Sequence, residues 1–297
     1  MTVERLRCEH LVDPIGLDIA RPRLSWELRS NRPGARQTAF QIEASGDGWT
    51  WDSGRRMSDE SVGVPWEGPD LQSRQRVAWR VRVWDGRGIA SSWSRSAIFE
   101  MGLLDAADWQ ARWIGAPWLG GPKTPCAAPF FRAAFRVARP VAAARLYAAA
   151  LGLYEFEING RRVGDDVLAP GWTDYRRRVP YRTYDVTALL RRGGNRIGAV
   201  LGDGWAVGHI GWRDRQCYAD RPRLLAQLEI VYADGERHTV VSNAAWEAAP
   251  RPILEADLLM GESHDARLKP SQWQPAIELP APAGRQVAHR GPPVRRI

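Results

Sequence analysis

The sequence predicts an all-β protein made of two antiparallel β-sandwich domains. Apolar and polar residues alternate with period two over many short segments, which is typical of half-buried strands. Gly, Pro, Asn and Asp interrupt these segments at short intervals, as tight turns between antiparallel strands require. No long segment repeats its apolar residues with the helical period, and this excludes most α/β enzyme folds, including the Rossmann unit and the TIM barrel.

The first predicted domain covers residues 1–103. Short strands over about 100 residues, with a hairpin turn at Asp85 and Gly86, predict a small antiparallel sandwich with a tryptophan-rich core. We expect Trp93 to stack on an arginine from a neighbouring strand. The alternating segments are LSWELR (24–29), TAFQIEAS (38–45) and RVAWRVRVWD (76–85).

A stretch rich in Gly, Pro and Ala, residues 104–128, predicts a linker. The second predicted domain, residues 129–270, again alternates like strands, with hairpin turns at Asn159-Gly160 and Asp234-Gly235. The segment DVTALLRRGGN predicts one helical turn, with Asp185 or Thr187 as its cap and Gly193 as its stop. The pattern D-x-T-x-x-L-x-x-G-x-N in this segment is common at a corner of jelly-roll domains.

Composition narrows the class of protein. The 297 residues carry a formal net charge of +8, and Lys123 and Lys269 are the only lysines, so arginine supplies most of the positive charge. No nucleic-acid-binding motif accompanies the arginines, so we expect no nucleic-acid partner. No apolar run is long enough for a signal-peptide core or a membrane span, and the three cysteines lack metal-ligand spacing. These features predict a cytoplasmic protein that does not contact a membrane.

Several segments, from about residue 13 to 293, carry a family resemblance. In sequence order they are DPIGLDIARPRLSWELRSNRPGARQTAFQI, WDSGR, WRVRVWDGRG, GLYEFEINGRRVGDDVLAPGWTDYRRRVPYRTYDVT, LGDGWAVG and GESHDAR. Together these segments resemble the N-terminal region of bacterial α-L-rhamnosidases, glycoside hydrolase family 78, and the fourth segment is the most specific.

The resemblance implies a fibronectin-III-like domain at 1–103 and a rhamnosidase N-terminal jelly roll at 129–270. Residues 271–297 would then be a tail leading to a following domain. Family members continue into further β-domains and an (α/α)6 barrel, whose acidic residues hydrolyse terminal α-L-rhamnose with inversion. The sequence contains no helical repeats suited to such a barrel. We therefore expect a non-catalytic portion of a rhamnosidase, truncated or excised, that is inactive alone and positions the barrel or the substrate.

Catalysis within this chain finds little support. An inverting glycosidase needs two carboxyl groups about 6.5–9.5 Å apart. Asp165 and Asp166 are adjacent and would point to opposite faces of an extended segment, so they form a poor pair. None of the five histidines lies in a nucleophile-elbow motif. We predict no catalytic residue. Sequence spacing does not test the other acidic candidates, which are Asp203, Asp214, Glu262 and Asp265.

A sugar site is the stronger hypothesis. Aromatic rings cover the apolar face of a sugar, and carboxylates bind its hydroxyl groups. Two segments combine both residue types and could converge at one edge of the jelly roll. The candidate sugar-binding residues are Trp172, Asp174, Tyr175, Asp203, Trp205 and Trp212. The structural alternative is that the two aromatics of the first segment pack its loop while its carboxylate pairs with Arg176, Arg177 or Arg178.

We expect no metal or other cofactor, with calcium as the open alternative. Some members of the resembled family carry a calcium-dependent rhamnose-binding module, which would need three or more oxygen ligands. Asn159, Asp165 and Asp166 are weak candidates without EF-hand-like spacing. The expected partners are a rhamnose-containing glycan and a missing or separately encoded catalytic barrel. Two alternative functions stay open: a standalone carbohydrate-binding module, and a structural partner of that barrel.

Overall fold

The computed structural model describes residues 1–250, 252–268 and 271–296. The chain divides into two compact units, Met1–Asp108 and Trp109–Ile297. The regular secondary structure of both units is almost entirely β-strand, which confirms the predicted all-β class with two antiparallel β-sandwiches. No helix among the described residues is long and apolar enough to cross a bilayer. Three positions that entered the sequence predictions, Lys269, Pro270 and Ile297, lie outside the described residues.

The first unit has seven strands in two antiparallel sheets, ordered β1-β2-β5 and β4-β3-β6-β7. The alternation of β6 is visible in its burial, because Val77, Trp79, Val81 and Val83 are all buried while the residues between them are more exposed. The strands are β1 (Thr2–Cys8), β2 (Arg23–Arg29), β3 (Gln37–Gly46), β4 (Trp49–Asp52), β5 (Val64–Pro65), β6 (Arg76–Asp85) and β7 (Ala97–Glu100).

The tryptophans of the first unit have distinct environments. Trp26 is buried, and its Nε1–H donates to the side-chain oxygen of buried Gln37 at 3.0 Å, so its polar atom is satisfied inside the core. Trp93 lies on the outer face, where the guanidinium groups of Arg80 and Arg82 lie 4.8 and 4.7 Å from its ring centroid. The predicted arginine stacking of Trp93 is thus confirmed.

Among its described residues, the second unit contains two larger sheets and two short ribbons. One sheet has the order β22-β8-β16-β10-β14-β23, with β17 also paired to β16, and the other has the order β12-β11-β15-β9-β18-β21. Its strands are β8 (Ile114–Gly115), β9 (Pro129–Val137), β10 (Val141–Leu151), β11 (Leu153–Ile158), β12 (Arg161–Arg162), β13 (Asp166–Val167), β14 (Arg178–Asp185), β15 (Gly193–Gly202), β16 (Arg223–Tyr232), β17 (Arg237–Val241), β18 (Glu247–Pro250), β19 (Ile253–Asp257), β20 (Gly261–His264), β21 (Gln274–Pro275), β22 (Ile277–Glu278), β23 (Arg285–Ala288) and β24 (Val294–Arg295).

The apolar faces of the two larger sheets meet in one core, to which β10 contributes Leu146 and Ala148 and β15 contributes Ile197. The segments predicted as linker and tail also take part. Ile114 of β8 and Ala276, which lies between β21 and β22, are buried in this core. Apolar residues in both segments therefore fill the second sandwich.

The predicted helical turn is a single turn of 3-10 helix, Thr187–Leu189, but its N-cap is Val186, so the prediction of Asp185 or Thr187 as the cap is wrong. The Asp185 carboxylate accepts a hydrogen bond from the Thr187 backbone N–H at 3.0 Å and another from the Thr187 hydroxyl at 2.6 Å. Gly193 follows with φ +95°, a conformation that favours glycine, and begins β15. Local turn chemistry, visible in the sequence, thus fixes this corner.

Candidate functional site

Two loops of the second unit meet through a pair of tryptophans. Trp172 lies between β13 and β14, and Trp205 lies in α1, the short helix Gly204–Val207 that follows β15. Their rings stack with centroids 6.0 Å apart and an interplanar angle of 9°. Trp172 is 58% exposed, so this aromatic surface is open to solvent. Two of the sequence-predicted candidates are therefore brought together.

The neighbours of Trp172 shape its loop. Tyr175 is only 2% exposed, and its hydroxyl donates to the Gly171 carbonyl at 2.9 Å. Its ring meets that of Tyr218 edge-on, with the centroids 5.2 Å apart. Asp174 accepts a hydrogen bond from the Arg176 N–H at 3.2 Å. Tyr175 and Asp174 thus make the contacts of the structural alternative, while the ring of Trp172, unlike that of Tyr175, is exposed to solvent.

Asp203 is buried and forms an ion pair with buried Arg215. Arg215 also donates to the Thr124 carbonyl at 2.7 Å. Burial raises the pKa of Asp203 to about 6, and the charge of Arg215 opposes the shift. At neutral pH the carboxylate is ionised and pairs with Arg215. This buried ion pair fixes the start of the loop that carries Trp205. The sequence marks Asp203 only through LGDGW and contains no signal for Arg215.

A second buried carboxylate, Asp257, joins this loop to the ribbon formed by β19 and β20. It accepts hydrogen bonds from the backbone N–H groups of His209, Leu259 and Met260 at 2.8, 2.8 and 3.1 Å. The His209 ring Nδ1 lies 3.0 Å from the same carboxylate. Burial opposes ionisation, but these hydrogen bonds together lower the pKa of Asp257. The sequence predictions missed Asp257, whose role arises only when distant segments meet.

The tip of this ribbon exposes three consecutive apolar side chains, Leu258, Leu259 and Met260. Gly261 follows with φ +88° and closes the turn.

Trp212, another sequence-predicted candidate, is fully exposed at the turn between Ile210 and Arg213 and makes no ring contact among the described residues. Exposed apolar groups of this size are typical of surfaces that contact a partner.

The three weak calcium candidates are engaged with protein groups. Asn159 donates to the Leu189 carbonyl and to the Asn195 side chain. Asp165 pairs with Arg295 at 2.9 Å. Asp166 is buried, lies 3.2 Å from the Arg182 Nε, and accepts from the Tyr184 hydroxyl at 2.8 Å. Within the described ranges, no three His, Cys, Asp or Glu residues are grouped as a metal site.

Comparison with known families identifies the class of protein. Residues 3–105 match the model of a Rha78A-like N-terminal immunoglobulin domain, and residues 139–297 match the model of an α-L-rhamnosidase N-terminal domain. The chain therefore combines two β-sandwich domains of the kinds that these family models describe. It belongs to the α-L-rhamnosidase family, which confirms the resemblance found in the sequence.

Individual relatives agree with this assignment. An α-L-rhamnosidase of Streptomyces avermitilis is 32% identical over 89% of this chain and 42% of its own length. The structure of Streptomyces avermitilis α-L-rhamnosidase complexed with L-rhamnose matches with a TM-score of 0.92, at 30% identity over 99% of this chain and 46% of that one. The structure of the α-L-rhamnosidase from Aspergillus terreus matches with a TM-score of 0.94 at 35% identity. This match covers 100% of this chain and 36% of the Aspergillus chain. The chain spans 30–42% of the length of the relatives that it matches by sequence.

Replacing Arg215 by Met should lower the free energy of unfolding by about 3–5 kcal/mol, because Asp203 would keep a buried charge without its partner. Urea unfolding followed by tryptophan fluorescence measures this. The double variant Asp203→Leu/Arg215→Met should recover most of the loss, since apolar groups of similar size need no charge partner. The matched control is Arg213→Met on the exposed part of the same loop. Equal stability of Arg215→Met and this control would contradict the assignment.

The hydrogen bonds to Asp257 should depend on pH. Because the pKa of Asp257 is lowered on folding, its contribution is fully present above the unfolded value near 3.9 and is lost as pH falls through the folded value. Asp257→Asn removes the charge and should speed amide hydrogen exchange in residues 257–260 about tenfold at pH 7, measured by mass spectrometry.

The difference between wild type and Asp257→Asn should shrink as the pH falls below 3.9. Asp265→Asn is the control, because the carboxylate of Asp265 pairs with exposed Arg267 beyond the ribbon. An exchange rate for residues 257–260 that is unchanged in Asp257→Asn at pH 7 would exclude this role.

Proposed function

We propose that this chain is the non-catalytic N-terminal portion of an α-L-rhamnosidase and that it positions the catalytic domain or the substrate. The proposal rests on how much of each relative this chain covers. The match extends over 89% of this chain but only 42% of the Streptomyces relative and 30% of two others. Hydrolysis of terminal α-L-rhamnose would then be an activity of the whole enzyme.

The carboxylates near the tryptophan pair support a non-catalytic role. Asp203 is buried against Arg215, Asp257 is held by backbone N–H groups, and Asp174 pairs with Arg176. A glycosidase acid or base must reach the scissile bond, which the first two of these cannot do from their buried positions. Their chemistry is that of supports for the loops.

The apolar ribbon tip supports a positioning role. Leu259 and Met260 are 59% and 65% exposed, and Asp257 fixes the backbone that carries them. An exposed apolar tip on a rigid turn costs little entropy to bury, as a domain interface requires. We propose that it packs against the part of the enzyme that follows in the relatives.

The purified chain should not hydrolyse 4-nitrophenyl α-L-rhamnopyranoside. A chimera in which this chain replaces the matched region of the Streptomyces avermitilis enzyme should hydrolyse it, since the catalytic residues come from the remainder. In the chimera, Leu259→Asp/Met260→Asp should lower the melting temperature more than in the isolated chain, because only there is the tip buried.

Leu119→Asp is the control for this comparison, as an exposed apolar residue elsewhere in the second unit. Turnover by the isolated chain would overturn the non-catalytic role. Equal melting shifts of the tip variant in both contexts would overturn the proposed docking.

Carbohydrate binding at the stacked pair Trp172–Trp205 is the second candidate function. One exposed ring braced by another presents a rigid aromatic face, which suits the apolar face and methyl group of rhamnose. The Streptomyces relative was solved as a complex with L-rhamnose. We propose that rhamnose or a rhamnose-containing glycan stacks on Trp172.

Titration of the purified chain with L-rhamnose should give a saturable change in tryptophan fluorescence. The change should vanish in Trp172→Ala and in Trp205→Ala and persist in Trp93→Ala, whose indole lies in the first unit. Calcium and EDTA should give the same curve, because the candidate calcium ligands are occupied by protein contacts. Absence of any change into the tens of millimolar, a range of very weak affinity, would leave the pair as scaffold.

A further inference from the structure

A cleft of about 490 Å³ lies beside Trp172 in the second unit, on the side of the sheet where β14 and β23 run in parallel. Its lining is strongly basic, and among the described residues it includes no carboxylate side chain. The residues that line it are Trp172, Thr173, Arg177, Arg178, Pro180, Arg285, Val287, Ala288, His289 and Arg290.

The strand register places two of these arginines side by side. Arg178 and Arg285 are Cα partners at the start of the parallel pair, so their side chains leave the same face of the sheet. Pro180 and Val287, two residues further along, are also partners and line the same cleft. The cleft floor is therefore one face of these two strands.

Close backbone contact holds the arginines in place. A Cβ on Gly284 would lie 2.4 Å from the Tyr175 carbonyl oxygen and 2.7 Å from the Arg178 nitrogen, so only glycine permits this approach. The Arg285 N–H donates to the Arg177 carbonyl at 3.1 Å. The Arg178 Nε donates to the Thr173 hydroxyl at 3.0 Å, which orients its guanidinium group.

The guanidinium groups of Arg177, Arg178 and Arg285 have no acidic partner in the part of the chain that the structure describes. Within the described ranges, no carboxylate lies at ion-pair distance from Arg177, Arg178 or Arg285, although neighbouring Arg176 and Arg182 pair with Asp174 and Asp166. Like charges at paired strand positions repel each other. An anion between Arg178 and Arg285 would relieve this repulsion and receive charge-assisted hydrogen bonds.

His289 adds a neutral polar group to the wall of the cleft. Burial and the nearby charge of Arg182 lower the pKa of His289, so it is uncharged at neutral pH. Its Nε2 lies 3.3 Å from an Arg182 nitrogen. The positive charge in the cleft therefore comes from its arginines.

We propose that this cleft binds the anionic group of an acidic sugar, a carboxylate or a sulfate, while the sugar ring packs on Trp172. The aromatic wall gives the cleft its preference for a sugar over a free ion, and the paired arginines give the preference for negative charge. The rhamnosidase region would then recognise an acidic glycan. The proposed binding of an anionic group by the arginines does not rest on the proposed binding of rhamnose, although the two proposed sites share Trp172.

The test is isothermal titration of the whole chain with methyl β-D-glucuronide, methyl β-D-glucoside and D-glucose 6-sulfate at constant ionic strength. At least one anionic sugar should bind saturably, and the neutral glucoside should bind about tenfold more weakly or not at all, since it lacks the charge-assisted bonds. Comparison of the glucuronide with the sulfate ester assigns the anion as carboxylate or sulfate.

Arg178→Gln/Arg285→Gln should weaken binding of the anionic sugar about tenfold or more. Arg176→Gln, whose arginine already pairs with Asp174, should leave it unchanged. Circular dichroism of each variant verifies folding. Binding retained in Arg178→Gln/Arg285→Gln, or equal binding of glucuronide, sulfate ester and glucoside, would overturn the proposal.

Inorganic sulfate binding as tightly as either anionic sugar would show an ion site without sugar recognition, and would also overturn the proposal. L-Rhamnose is titrated in parallel on the same samples. If rhamnose fails to bind while an anionic sugar binds, only the proposed rhamnose site is excluded, so the two failures are distinguishable.

Discussion

Burial of the apolar faces of β10 and β15 between the two larger sheets is the interaction on which the second unit depends. Leu146, Ala148, Ile197 and Ala199 leave water together, and burial of this kind is the main favourable contribution to folding. The strands can meet in this way only if the loops at their ends satisfy the polar groups that are buried with them. Asp203, at the end of β15, meets that requirement through Arg215.

The loops around the candidate site form one connected set. Asp257 ties the β19–β20 ribbon to His209, Trp205 of the same loop stacks on Trp172, and Trp172 lines the basic cleft. A change at the ribbon can therefore reach the aromatic pair through hydrogen bonds and ring contacts.

The arginines of the second unit occupy two different kinds of environment. Arg182 and Arg215 are buried and paired with Asp166 and Asp203, where they satisfy carboxylates inside the fold. Arg178 and Arg285 face the cleft from adjacent strands without an acidic partner among the described residues. Arginine serves both uses because its planar guanidinium group forms several directed hydrogen bonds and stays charged when partly buried.

Period-two alternation, turn residues and family motifs, all local in the chain, were enough to determine the all-β class, the two sandwiches, the helical turn after Asp185 and the family. They also marked Trp172 and Trp205, because tryptophans beside carboxylates and turn residues stand out in a sequence. Only the tertiary structure decided which partners meet. Strand register and contacts between distant segments decide these pairings, and local patterns do not encode either of them. The pairings are Asp203 with Arg215, Asp257 with the ribbon tip, and Arg178 beside Arg285.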